Sequence, residues 1–245
     1  FMGETLCDKM IAVPGDNCNV WLLVHSMEFN RFSAYEITPT GISLSPVISN
    51  VGSTGNVPTA GGRNQYWTNG QMAISHDYKK LAICATAGSF AELFDFNTAT
   101  GTVSNPLMLD TGHAAFGCAF SPGNTRLYVL AKDAASPLSG WNIFQYDMAA
   151  GTPAAIRQSK TKVSTGYVPR SQLKVGPDRR IYFGNSRDAS GNLPADRGRI
   201  LGAILSPEAL GTACGFVPHA VELLDSTSMI YGLSHEVTPM RDSMF

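Results

Sequence analysis

Charge is scarce in this sequence. Only 15% of its 245 residues are Asp, Glu, Lys or Arg, and 18 basic side chains nearly balance 19 acidic ones. Without a basic excess there is no electrostatic footprint for a phosphate backbone, so nucleic acid is not an expected partner. No apolar run approaches the ~20 residues that a membrane-spanning helix needs. The longest, Val20–Val24, runs into His25, and direct membrane insertion is not expected. No secretory leader is visible, and the chain opens on Phe1 rather than Met, which reads as a processed product or a piece of a longer protein.

Familiar catalytic and metal signatures are missing too. The five cysteines (Cys7, Cys18, Cys84, Cys118, Cys214) have none of the two-to-four-residue gaps of a zinc site. Cys84 and Cys118 sit inside apolar runs and read as small buried hydrophobes. "GLSHE" from Gly232 lacks the closing glycine of a nucleophile elbow. "HEVTP" from His235 lacks the second histidine of a zinc-protease helix, and Pro239 would break that helix. "GTACGF" from Gly211 has neither the lysine nor the spacing of a phosphate loop. His25, His76, His113, His219 and His235 are dispersed. Catalytic residues, metal ligands and cofactors are therefore each expected to be none.

What the sequence does contain is a repeat. "MIAVPGDNCNVWLLV" from Met10, "MAISHDYKKLAICA" from Met72, "CAFSPGNTRLYVL" from Cys118 and "LKVGPDRRIYFGN" from Leu173 share one design. An alternating apolar run meets a polar turn of Pro, Gly, Asp or Asn, and a second apolar run follows, as in a half-buried hairpin. Gly or Asn tolerates a positive φ late in such a turn, and replacing Gly123 in the third copy is expected to cost about 1 kcal/mol if its φ is positive. Asp16, Asp77 and Asp178 recur in these turns, which favours a structural role.

Each copy is followed by an aromatic-rich strand, a turn with glycine (Gly41, Gly101, Gly151, Gly211) and a further strand. No helical periodicity competes; Ser206–Leu210 could supply one turn. Four strands per unit, at intervals of about 45 to 60 residues, is the pattern of β-propeller blades, which bury both faces only by stacking. The fold expected is all-β: a WD40-like propeller of four-stranded antiparallel blades, part of a roughly seven-bladed ring. The blades are expected at 8–50, 71–105, 115–159 and 171–216. Residues 217–245 are a partial blade or a C-terminal extension, with a fifth blade starting at Ala220–Leu224.

The stretches "KMIAVPGDNCNVWLLVHSMEFNRFSAYEITPTGIS", "YKKLAICATAGSFAELFDFNTATGTVSNPLML", "FGCAFSPGNTRLYVL" and "NIFQYDMAAGTP" resemble the propeller region of large Bacteroidetes surface proteins. Those are gliding-motility-associated proteins with a type B sorting domain, exported by the type IX system. The resemblance covers about Lys9 to Phe216. It implies an extracellular or outer-membrane cell-surface location, and additional blades and domains in the same parent protein.

Long loops that do not repeat are where a rigid scaffold usually carries binding. Three stand out: 49–70, 132–141 and 185–199. Tyr66 and Trp67 in the first could stack on a sugar or form a protein contact, although Trp67 could equally pack under its own loop. Arg187, Asp188 and Arg197 in the third are the charged candidates. The leading expectation is a non-catalytic, adhesin- or scaffold-like interaction module binding protein or glycan. The alternatives are a propeller enzyme (a glycan lyase, glycosidase or lactonase) working in the central channel, and a structural subunit of a surface or secretion assembly. Apolar or small side chains at Met72, Phe116 and Leu173 would mark an inert channel.

Overall fold

A computed structural model describes residues 5–53, 69–86, 88–133, 140–165, 168–185 and 199–224. The chain divides into two compact units, the first ending at Gly112 and the second beginning at His113.

The first unit holds two sheets. One comprises β1 (Leu6–Pro14), β2 (Val20–Ser26), β3 (Arg31–Thr38), β4 (Gly41–Ile42) and β5 (Val47–Asn50), in the order β1-β2-β3-β4 with β5 also on β3. The other comprises β6 (Met72–Ile74), β7 (Lys80–Ala85), β8 (Phe90–Asn97) and β9 (Thr102–Thr111), in sequence order. In the first sheet β4 and β5 are two halves of one outer strand. Ile37 and Thr38 pair with Ile42 and Gly41, while Arg31–Ala34 pair with Asn50–Val47. Ser43–Pro46 interrupt it, consistent with a proline that cannot donate to a ladder.

The second unit repeats the plan. β10 (Ala115–Phe120), β11 (Arg126–Lys132), β12 (Trp141–Asp147) and β13 (Thr161–Lys162) form one meander. β14 (Leu173–Val175), β15 (Ile181–Asn185), β16 (Ile200–Ile204) and β17 (Phe216–Glu222) form the other. All pairings are antiparallel. Inner strands of successive sheets contact each other within each unit, β1 with β6 and β10 with β14. The chain is all-β and built of β-propeller blades, as the repeat predicts.

Alternation along the strands supplies the packing between blades. In the first unit Val13, Trp21, Leu23, Phe32 and Ala34 join Met72, Leu81, Phe90, Phe94 and Phe96 in one buried cluster. Phe32 meets Phe94 edge-on at 5.0 Å. In the second, Tyr128, Leu130, Trp141 and Ile143 face Leu173, Ile181, Phe183 and Ile204. Met72, Phe116 and Leu173 all belong to these clusters, so their apolar character serves blade packing.

Several bounds differ from the sequence reading: β1 starts at Leu6, before residue 8, and β13 lies past residue 159. β9 continues to Thr111, past residue 105. In the third blade, residues expected to form a strand make a short helix, α1 (Pro153–Gln158), before β13. Thr152 caps it by accepting from the Ala155 amide at 3.2 Å, and Pro153 occupies the first turn, where no amide is needed. Finally, Ala220–Glu222 do not start a fifth blade. They belong to β17, where Val221 pairs with Leu201 and Glu222 with Ile200, completing the fourth sheet.

The repeated hairpin turns share one geometry. Tyr78, Asn124 and Arg179 have φ of 61°, 60° and 66°. Their amides donate to the carbonyls of Ser75, Ser121 and Gly176 at 2.8, 2.8 and 2.9 Å. Cys18, at φ 54°, is the left-handed residue of the first turn. The positive φ in the third turn thus falls on Asn124, one residue after Gly123. Asp77 accepts from the Lys79 amide and Asp178 from the Arg180 amide, each at 3.3 Å. These are the local backbone bonds expected of recurrent turn aspartates.

Candidate binding edge

A meander sends its first and third connections to one edge of the sheet, and its second connection and exit to the other. In every blade the repeated hairpin turns and the glycine turns therefore occupy one edge. The loops that do not repeat leave from the opposite edge. Their described anchors are Ser53 and Asn69, Asp133 and Gly140, and Asn185 and Arg199. Tyr66, Trp67, Arg187, Asp188 and Arg197 themselves lie outside the described residues.

The turn edge is a joint between blades. In the first unit Trp21 Nε1 donates to the Thr98 carbonyl at 2.7 Å, and Thr98 Oγ1 donates to Asp16 at 3.0 Å. Gly101 lies against the indole; a Cβ there would sit 2.7 Å from the ring. In the second unit the 205–211 segment of the fourth blade takes the same place against the third. Tyr128 donates its hydroxyl to the Pro207 carbonyl at 2.8 Å. Gln145 donates to Tyr128 Oη and to the Ala209 carbonyl, and accepts from the Gly211 amide, at 2.7 to 2.8 Å. The Glu208 carboxylate receives the Ser121 hydroxyl at 2.8 Å, the Gly123 amide and the Thr125 hydroxyl. Burial pushes this carboxyl up, but its donors more than offset that and hold it below the ordinary range.

The loop edge has a different chemistry. Glu92, on β8, is 5% exposed and accepts from both the amide and the hydroxyl of Ser53 at 3.0 Å. Burial raises its carboxyl above the ordinary value, and only the Ser53 bonds oppose that rise. Both oxygens serve to anchor the chain where the first long loop departs. On β1 the Lys9 side chain is fully buried, with its ammonium 3.7 Å from Asp8. The register of β1 against β2 shifts between Leu6 and Met10, which brings these consecutive residues together. Burial also pushes the neighbouring Cys7 thiol up.

In the second unit, Asn185 donates to the Pro218 carbonyl at 2.8 Å and Ser171 Oγ accepts from the Gly184 amide at 2.7 Å. Arg199, at the far end of that loop, donates to the Leu223 carbonyl at 3.2 and 3.3 Å. Lys132 lies over Trp141, 5.9 Å from the ring centre. Among the described residues, no three of His, Cys, Asp and Glu form a group suited to a metal ion. His25 is buried, 2.6 Å from the Ser26 carbonyl and edge-on to Phe32.

Glu92 and Lys9 were legible in the strand pattern. Glu92 shares the parity of Phe90, Phe94 and Phe96, and Lys9 that of Ile11 and Val13, so each puts a charge on an apolar face. Glu208 carried no such signal, since it lies in a loop and acts on a turn 83 to 87 residues away.

No protein-family profile matches the chain, and no characterised protein matches it by sequence. Solved structures do resemble it. A 6-phosphogluconolactonase-like protein from Bacteroides uniformis ATCC 8492 is 13% identical over 82% of this chain and 50% of its own, with a TM-score of 0.47. A chain of a nidogen/laminin complex is 12% identical over 96% and 70%, at 0.49. The Dos1 propeller is 11% identical over 75% and 41%, at 0.44. The chain thus spans only half of the first of these structures.

Proposed function

We propose that this chain is a non-catalytic, cell-surface interaction module that binds protein or glycan through the loop edge of its blades. We place it within a larger type IX-secreted protein of the gliding-motility-associated kind. The observation that carries this reading is the division of labour between edges. Repeated, hydrogen-bonded turns fix one edge of each blade, while each long non-repeating loop leaves from the opposite edge of its own blade, where nothing in the repeat constrains its sequence. Glu92 supports it further, because its carboxylate is committed to holding Ser53. The resemblance to Bacteroidetes surface propellers supplies the location.

Loop replacement tests the proposal. Variants with 54–68, 134–139 or 186–198 exchanged for a Gly-Ser linker, and the single variants Trp67→Ala and Arg187→Ala, are compared with Asp77→Ala on a glycan array and in adhesion to intact cells. Binding lost in loop variants of unchanged melting temperature, and kept in Asp77→Ala, supports the reading. Equal loss in both classes overturns it, as does turnover of a lactone or polysaccharide by the unmodified protein. A native mass several-fold above that of this chain supports the larger parent, and a native mass equal to it counts against one.

A further inference from the structure

We infer that Asn69–Gly70, at the foot of the first long loop, is a site of spontaneous backbone modification by succinimide formation. It is the one Asn-Gly pair in the sequence. The reaction is fastest where the residue after the asparagine has no side chain to hinder attack, its amide is free and the asparagine side chain is uncommitted, and among the described residues this pair combines all three. Among the described residues, neither the Asn69 side chain nor the Gly70 amide has a hydrogen-bond partner; Asn69 is held only through its carbonyl, which accepts from Thr86 at 3.0 Å. Both residues are partly exposed, so water and hydroxide reach them. The glycine is also imposed by the fold. Its φ is +147°, and a Cβ there would lie 2.1 Å from the Cys84 carbonyl oxygen. The packing that requires glycine therefore keeps the reactive pair in place.

In the step itself, hydroxide takes the Gly70 amide proton and the nitrogen attacks Asn69 Cγ. The Cγ–Nδ2 bond breaks and ammonia leaves. Water then opens the five-membered imide at either carbonyl, giving aspartate or isoaspartate, so asparagine plus water becomes acid plus ammonia. Either product adds a negative charge three residues before β6, close to buried Lys9, whose Cε would lie 3.3 Å from a Cβ on Gly70. Isoaspartate also lengthens the main chain by one atom between the Thr86–Asn69 and Cys84–Gln71 bonds, which align this segment on β7.

The folded chain is incubated at pH 8 in ordinary water and in ¹⁸O-water and then mapped by peptide mass spectrometry. A peptide containing residues 66–72 serves as reference. The expected result is amide-to-acid conversion at Asn69 at a rate within about tenfold of that peptide, with one ¹⁸O incorporated and both isomers present. Asn19, whose amide is bonded to Glu36 at 2.6 Å, is expected to stay unchanged. Asn69→Gln should abolish the signal. An intact Asn69 in the folded chain, under conditions that convert the reference peptide, overturns the inference.

Discussion

Glu208 and Ser121 belong to different blades and are joined by a 2.8 Å hydrogen bond at the heart of a three-donor clasp. Glu208→Ala is expected to destabilise the second unit by about 1–2 kcal/mol, because it strands two hydroxyls and an amide, partly relieved by water at this half-exposed site. Its carboxyl sits below its ordinary value of 4.5. The stabilisation is therefore present above pH 4.5 and lost as pH falls through the lower, folded value. Urea midpoints of the parent and Glu208→Ala should differ at pH 7 and converge in acid; a constant difference would refute the assignment.

Gly123 is constrained by that same carboxylate. Its φ is not among the positive ones, and a Cβ would meet Glu208 at 3.0 Å. Gly123→Ala should cost about 1 kcal/mol in the parent and distinctly less in Glu208→Ala, a coupling that a double-mutant cycle measures. By contrast, Asn124→Gly should be almost neutral and Asn124→Val destabilising, because the left-handed conformation rests on Asn124. Equal costs for Gly123→Ala in both backgrounds would place the strain in the backbone.

Glu92 has the opposite pH signature. Its folded value is raised, so its contribution is fully present below its ordinary 4.5 and lost as pH rises through the folded value. Glu92→Gln keeps an acceptor for Ser53 without the buried charge. It should match or exceed the parent in thermal stability at pH 8 and lose that advantage toward pH 4. A variant less stable than the parent at both pH values would show that the charge itself holds Ser53.

Tyr128→Phe removes a buried donor and leaves the Pro207 carbonyl without it, with Gln145 losing an acceptor. A loss on the order of 1–3 kcal/mol is expected, visible as a lower urea midpoint. Because the joint lies on the turn edge, any binding carried by the loops should survive at temperatures where the variant stays folded.

Most of the fold was legible because a blade is a local object. The turns at Pro14–Asn19, Ser75–Lys80, Ser121–Arg126 and Gly176–Arg180 announce their hairpins within a few residues, and parity along β8 reveals both the Phe90–Phe94–Phe96 face and the misplaced Glu92. The turn at Thr152–Pro153–Ala154 was a helix start read as a strand, since the repeat argued for a strand and a two-turn helix has too little periodicity to outweigh it. Glu208, Gln145 and Tyr128 stayed hidden for a different reason. Their partners in the adjoining blade lie 64 to 87 residues away in sequence, and only blade stacking brings them together. The outer strand of the fourth blade runs unbroken from Phe216 to Glu222, and its last residues resemble a new start because Pro218 and His219 interrupt the apolar pattern of the sequence.

The split outer strand of the first blade bears on association between molecules. Its two pieces are two and four residues long, and Pro46 between them offers no amide. A neighbouring chain seeking to extend the sheet finds no continuous row of donors and acceptors there. That arrangement discourages strand-to-strand polymerisation where this protein is crowded at high local concentration.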